Sequence, residues 1–215
     1  MSFLQQLKQQ ATQVQSQQGN QVQHLEANVV ATEQACQTLC HYLSDLATQL
    51  NVIQPPSRAI SLDGKTRWPA LKLANFRYDT RKKTLRQREV TDHVALGWVA
   101  LPQTETQDLG RVSVNFPPDL ERVESRLRVG QVKHQRLEQR HPDTHKLQAI
   151  VFEHELSFRA SLLFTPDHDQ ARFQVRLVGV TGLEVLKMEW RAAEVTTARL
   201  DDLAKAIVGQ PSSLG

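Results

Sequence analysis

The chain has 215 residues, with 26 Lys+Arg against 23 Asp+Glu for a net charge of +3, 40% hydrophobic residues, nine Gly, nine Pro and two Cys. That composition excludes a wholly disordered, collagen-like or disulfide-stapled chain. The length fits one domain with an appendage and a core large enough to fold unaided.

The first residues, Met1 to Lys8, show no charged segment followed by an apolar run, and nowhere do the ~20 apolar residues of a bilayer span occur together. The expectation is a cytoplasmic protein without transmembrane insertion. Cys36 and Cys40 lie four apart on a helix-like stretch, and the spacing, even with His41 beside it, matches neither a zinc ribbon nor a haem attachment. They read as reduced thiols packed as small hydrophobes.

Residues 1–54 differ from all that follows. Fourteen are Gln, only Lys8, Glu26, Glu33 and Asp45 are charged, and Pro is absent until Pro55. Apolar residues recur at alternating spacings of three and four, through Leu4, Leu7, Ala11 and Val14, then Val22, Leu25, Val29, Cys36, Leu39, Leu43, Leu46, Leu50 and Ile53. A four-residue slip between Val14 and Val22, close to Gly19, reads as a stutter in a heptad seam. A lone helix cannot bury such a stripe, so the seam predicts self-association through Val22, Leu25, Val29, Leu39, Leu43, Leu46 and Leu50. The alternatives are a helix folded back over its own β-domain, or a groove for a foreign helix. Flanking positions carry few charges, which leaves register and oligomer number unread. Pro55-Pro56 ends the helix and places a domain boundary near 55.

After residue 58, alternation with a period of two takes over. Strands are expected near 69–79, 84–90, 93–101, 111–116 and 131–139, with a short helix from Pro118 to Leu127 and Gly130 after its end. Leu147 to Thr165 reads as one long half-buried strand, with Phe152, His154, Leu156, Phe158, Ala160, Leu162 and Phe164 on one side. A meander follows through Phe173, Val175 and Leu177 and then Leu183 to Trp190. Thr197 to Val208 closes the chain as an amphipathic helix with Leu200, Leu203, Ala204 and Ile207 inward. The fold class predicted is α+β: a coiled-coil helix over 1–54, then over 55–215 a mainly antiparallel domain of six to eight strands, with the short internal helix and the C-terminal helix.

Charge is unevenly placed. Residues 58–88 carry a local balance of +8 and residues 89–120 one of −4. The basic stretch supplies a candidate anion-binding face of Arg67, Lys72, Arg77, Arg81, Lys82, Lys83, Arg86 and Arg88, and Trp68, Phe76 and Tyr78 lie among them as rings on which bases could stack. The competing reading is a solvated hairpin tip over Arg77–Thr84 whose Lys and Arg protect a sheet edge. His134, His141, His145, His154 and His168 lie among carboxylates, but nothing in their spacing makes them converge as zinc ligands. Asp167, Glu184 and Lys187 loosely resemble a nuclease set, and no Gly-x-Ser-x-Gly or Ser-x-x-Lys signature is present. No catalytic residue, metal site or cofactor is therefore assigned. The expected function is a non-catalytic oligomeric structural or adaptor protein: its helix assembles copies and its basic domain offers a surface to a protein partner. Binding of nucleic acid or another polyanion is the second reading, and a metal-dependent hydrolase or nuclease the third.

Overall fold

A computed structural model describes residues 3–104 and 108–213; within the first twenty residues, side chains are described only at positions 5, 8 and 19. Helix α1 runs Phe3–Ile53 and stops where Gln54 turns into the left-handed region (φ 46) before Pro55-Pro56. Strands β1 (Leu71–Leu85) and β2 (Arg88–Pro102) form one long hairpin. Then come β3 (Gly110–Val114), α2 (Pro117–Val129), β4 (His134–Arg140), β5 (Leu147–His154), β6 (Phe158–Asp167), β7 (Arg172–Val178), β8 (Val185–Arg191), a 3-10 turn at Ala192–Glu194 and α3 (Thr197–Ile207). The protein is α+β, with every strand pair antiparallel. Five strands form a sheet in the order β1-β2-β6-β7-β8, and three form a second sheet in the order β3-β5-β4.

Three details differ from the strand pattern read in sequence, the first being that the strand expected near 84–90 straddles a hairpin tip and the one near 93–101 is part of the single longer strand β2. The hairpin tip is Arg86-Gln87, both at positive φ (48 and 64), so Arg77–Thr84 lies inside β1 and is no tip. Two left-handed residues make the tight turn that matches strand twist, and Arg-Gln is not the Asn-Gly or Asp-Gly pair that would announce it. The long strand over Leu147 to Thr165 is two strands in different sheets. At Glu155-Leu156-Ser157 the chain leaves β5 and enters β6, held by Glu155 N–H donating to Lys133 O and Arg159 N–H donating to Gly130 O. Alternation continues across the corner, so periodicity alone does not mark it.

One face of the five-stranded sheet buries Val94, Leu96 and Trp98 of β2, Phe158, Leu162 and Phe164 of β6, and Phe173, Val175 and Leu177 of β7. Onto it pack α3, through Leu200, Leu203, Ala206 and Ile207, and the second half of α1, through Val29, Thr32, Cys36, Leu39, Leu43, Ala47 and Leu50. The helix thus folds back over its own domain. For Val29, Leu39, Leu43 and Leu50 this replaces the expected partner helix with the chain's own sheet, and Leu46 is half-buried against the same core. The cover for the stripe comes from strands distant in sequence, which a seam read along one helix does not reveal. Only Val22 (55% exposed) and Leu25 (half-buried) of the seam residues named for self-association stay uncovered; Leu4, Leu7, Ala11 and Val14 lie outside the described side chains. The boundary near 55 separates elements but not cores.

The three-stranded sheet joins the main body through Trp68, which stacks on His154 (5.0 Å between centroids) and meets Phe158 edge-on. Gly110 on β3 leaves room for that histidine, since a Cβ there would lie 2.6 Å from His154 Nε2. Gly110→Ala is therefore expected to cost about 1–3 kcal/mol by overpacking, read as a lower melting temperature with unchanged far-UV signal. An unchanged melting point would show that the ring moves aside freely.

Candidate anion-binding cleft

The opposite face of the five-stranded sheet carries no helix across its middle. Alternation along β2 and β6 turns Ala95, Gly97 and Val99, and Arg159, Ser161 and Leu163, toward this side. Register then sets the rows: Arg77 pairs with Gly97, Gly97 with Ser161, and Ser161 with Val178. Small residues in the middle of the row leave a cleft of about 500 Å³, whose lining includes Arg77, Gly97, Val99, Arg159, Ser161 and Arg176. Val129 and Gln131, from the end of α2 and the turn after it, wall one side. Asn75, in the left-handed region (φ 56) at a bulge in β1, adds an amide at the rim.

Three guanidinium groups border this cleft, on β1, β6 and β7. Arg77, Arg159 and Arg176 are exposed, and none has an ion pair or side-chain hydrogen bond among the described residues. Arg176 also stands directly opposite Lys187 on β8, a like-charged cross-strand pair that destabilises unless an anion joins it. The nearby carboxylate of Asp79 is engaged elsewhere, 3.5 Å from His93 Nε2 and 3.9 Å from Arg81 Nε. An always-charged planar fork with free donors is the side chain best suited to phosphate or carboxylate.

The basic stretch read from the sequence divides in two. Near the hairpin tip, Lys82 pairs with Glu89 at 2.7 Å, Lys83 with Asp92 at 3.3 Å, Arg86 with Asp169 at 2.6 Å and Arg81 with Asp79. Of the acidic stretch that follows in sequence, Glu89 and Asp92 lie on β2, and antiparallel pairing lays them beside β1 as the neutralising partners of Lys82 and Lys83. Lys72 sits beside Pro56 at the β1 edge, Arg67 in the loop before β1 and Arg88 at the start of β2, all away from the cleft. Arg77 alone of the eight reaches the cleft. The aromatic rings are not available for stacking on bases: Trp68 and Phe76 are buried, Phe76 is stacked on Trp98 at 5.5 Å, and Tyr78 packs half-buried against the core.

Arg159 and Arg176 were legible only as polar members of alternating strands. The signal that marks them is their pairing with aliphatic or basic neighbours, Val99 for Arg159 and Leu163 and Lys187 for Arg176, instead of carboxylates, which needs the strand order. The histidines disperse: His154 stacks on Trp68, His134 lies edge-on to Phe152, and His168 is buried against α1. Burial holds His154 below the ordinary histidine range. Among the described residues no three or more His, Cys, Asp or Glu side chains are grouped to hold a metal ion. Asp167 and Glu184 occupy opposite ends of the β6–β7 ladder, so the nuclease-like set does not assemble. Burial pushes the Cys36 thiol up to about 12, which leaves it a packing group.

Comparison with protein-family models, with curated proteins and with solved structures finds no match for this chain. Among the described residues no helix is long and apolar enough to cross a membrane.

Proposed function

We propose that this is a non-catalytic binding protein, an adaptor whose open sheet face takes an anionic partner and whose outer helix assembles copies. The observation that carries the reading is that Arg77, Arg159 and Arg176 line one cleft and that none of the three is ion-paired among the described residues. Such a group repels itself until an anion arrives, so anion binding relieves a cost built into the folded state. The two free cysteines fit the cytoplasmic setting read from the sequence.

Retention on phosphocellulose tests the site with charge held constant. The triple variant Arg77→Ala, Arg159→Ala, Arg176→Ala is expected to elute at clearly lower salt than the wild type. The triple variant Lys82→Ala, Lys83→Ala, Arg86→Ala removes the same charge from the hairpin tip and is expected to elute near the wild type. Equal shifts in the two variants would mean that net charge alone governs binding and would end the reading.

Assembly rests on the part of the seam that the sheet leaves uncovered. The occupant we assign is a second copy, because the three-and-four spacing of Leu4, Leu7, Ala11 and Val14 continues outward from Val22 and Leu25, where the helix surface is open. Light scattering is expected to give a multiple of 24.4 kDa for the full chain and a monomer for a chain starting at Asn28. A monomer in both would remove the assembly half of the proposal and leave the cleft untouched. Linking several cleft-bearing copies raises the apparent affinity for a multivalent anion without any new contact.

A further inference from the structure

We infer that the cleft takes a small phosphorylated organic molecule of nucleotide size, its phosphates among Arg77, Arg159 and Arg176 and its apolar body on the floor made by Gly97 and Val99. This rests on the anion-binding reading above and adds the class of ligand. At about 500 Å³ the space falls within the range of small-molecule sites, roughly 300–1,000 Å³. Its walls combine two chemistries. Arg77 and Ser161 stand two strands apart, about 10 Å across the sheet at ~4.8 Å per strand, so long side chains can close on one anionic group from several sides. Between them lie Gly97 and Val99, with Val129 at one wall, and these present apolar surface that an inorganic ion would leave uncovered.

Neutral donors and acceptors at Asn75, Gln131 and Ser161 complete a lining of the kind that orients a hydroxylated body. A nucleic-acid strand fits less well. The lining exposes no aromatic ring on which successive bases could stack, and Val129 and Gln131 bound the cleft on one side.

Gly97 supplies the decisive variant. A Cβ at this position would meet nothing closer than Ala160 O at 4.0 Å, and the backbone is not in the left-handed region. Gly97→Leu therefore fills the floor without straining the sheet, and an unchanged melting temperature verifies that. Calorimetry on the full chain at low salt compares pyrophosphate, adenosine diphosphate and a short oligothymidylate. Adenosine diphosphate is expected to bind at least about tenfold more tightly than pyrophosphate, and Gly97→Leu to abolish that difference while leaving pyrophosphate within about twofold of wild type. Arg159→Ala with Arg176→Ala is expected to weaken both by about tenfold or more.

Equal affinity for the two diphosphates, or a preference that survives Gly97→Leu, overturns the inference and leaves the anion site standing. Tighter binding of the oligothymidylate, lost in the arginine variant, overturns it in favour of a nucleic-acid face. No binding of any of the three overturns the anion-binding reading as well.

Discussion

A chain lacking residues 1–54 is expected not to fold, whereas one lacking residues 1–27 is expected to keep the full cooperative unfolding transition. The asymmetry follows from where α1 spends its apolar surface. Leu39, Leu43 and Leu50 are each 5% exposed or less, and they meet the sheet together with Val29, Cys36 and Ala47. Truncating a buried leucine to alanine costs roughly 2–5 kcal/mol, so losing three accounts for about 6–15 kcal/mol. That equals the whole stability of a typical domain, about 5–15 kcal/mol. The bare sheet would also expose Val94, Leu96 and Phe164, and an apolar patch of that kind aggregates. By contrast, the described side chains from Gln21 to Ala27 are exposed apart from half-buried Leu25. Circular dichroism melts of the two truncated chains decide the matter: a cooperative melt for residues 55–215 would show that the helix is dispensable to the core.

Replacing Glu33 by alanine is expected to cost about 3 kcal/mol, the second largest single effect foreseen here. Glu33 is where α1 is tied to strand β2 and to the β6–β7 turn at once. Its carboxylate accepts from Thr91 N–H at 2.9 Å, from Thr91 Oγ1 at 3.2 Å and from His168 Nε2 at 2.8 Å, and His168 is 3% exposed. An ionised carboxylate only accepts, so Nε2 carries the proton. Beside it Asn28 Nδ2 donates to Asp169 O, and Arg86 pairs with Asp169. This joins α1, the β1–β2 hairpin tip and the β6–β7 turn.

Burial of Glu33 raises its pKa, but the hydrogen bonds from Thr91 and His168 outweigh burial and hold the carboxyl below its ordinary value. A folded pKa below the unfolded one means stability present above the unfolded value and lost as pH falls through the folded one. The stability gap between wild type and Glu33→Gln is thus expected to be full near neutrality and to shrink below about pH 4, where the unfolded carboxyl begins to bind its proton. Urea denaturation of both proteins across that range measures it. A gap that does not change with pH would show that the charge of Glu33 is irrelevant to the tie.

Local pattern carried most of the elements. The α+β class, Pro55-Pro56 as the helix stop, the short helix expected over Pro118 to Leu127 and found over Pro117–Val129, the meander from β6 to β8 and the closing helix stand close to where alternation, helical spacing and capping put them. Ala204, expected inward on α3, is only partly covered, and Ala206 takes its place. Contacts between distant segments were less legible. A heptad stripe states that a helix needs apolar cover, but not whether another helix or a sheet provides it, so Leu39 and Leu43 read alike in both cases.

Charge followed the same logic. Lys82 and Lys83 stood out by clustering in sequence, yet register gave each an acidic partner on β2. Arg159 and Arg176, seventeen positions apart and unremarkable along the chain, are left without an ion pair among the described residues because their cross-strand neighbours are aliphatic or basic. The proposed site is built by those pairings, and composition does not see them.

The proposed function stands on an anion bound among Arg77, Arg159 and Arg176. Titrating pyrophosphate into nitrogen-15-labelled protein while following the arginine side-chain Nε–Hε resonances tests it directly. Saturable shifts confined to these three arginines are expected, with Arg81 and Arg86 at the paired hairpin tip unmoved. Shifts led by the tip, or small linear shifts spread over every exposed arginine, would contradict it.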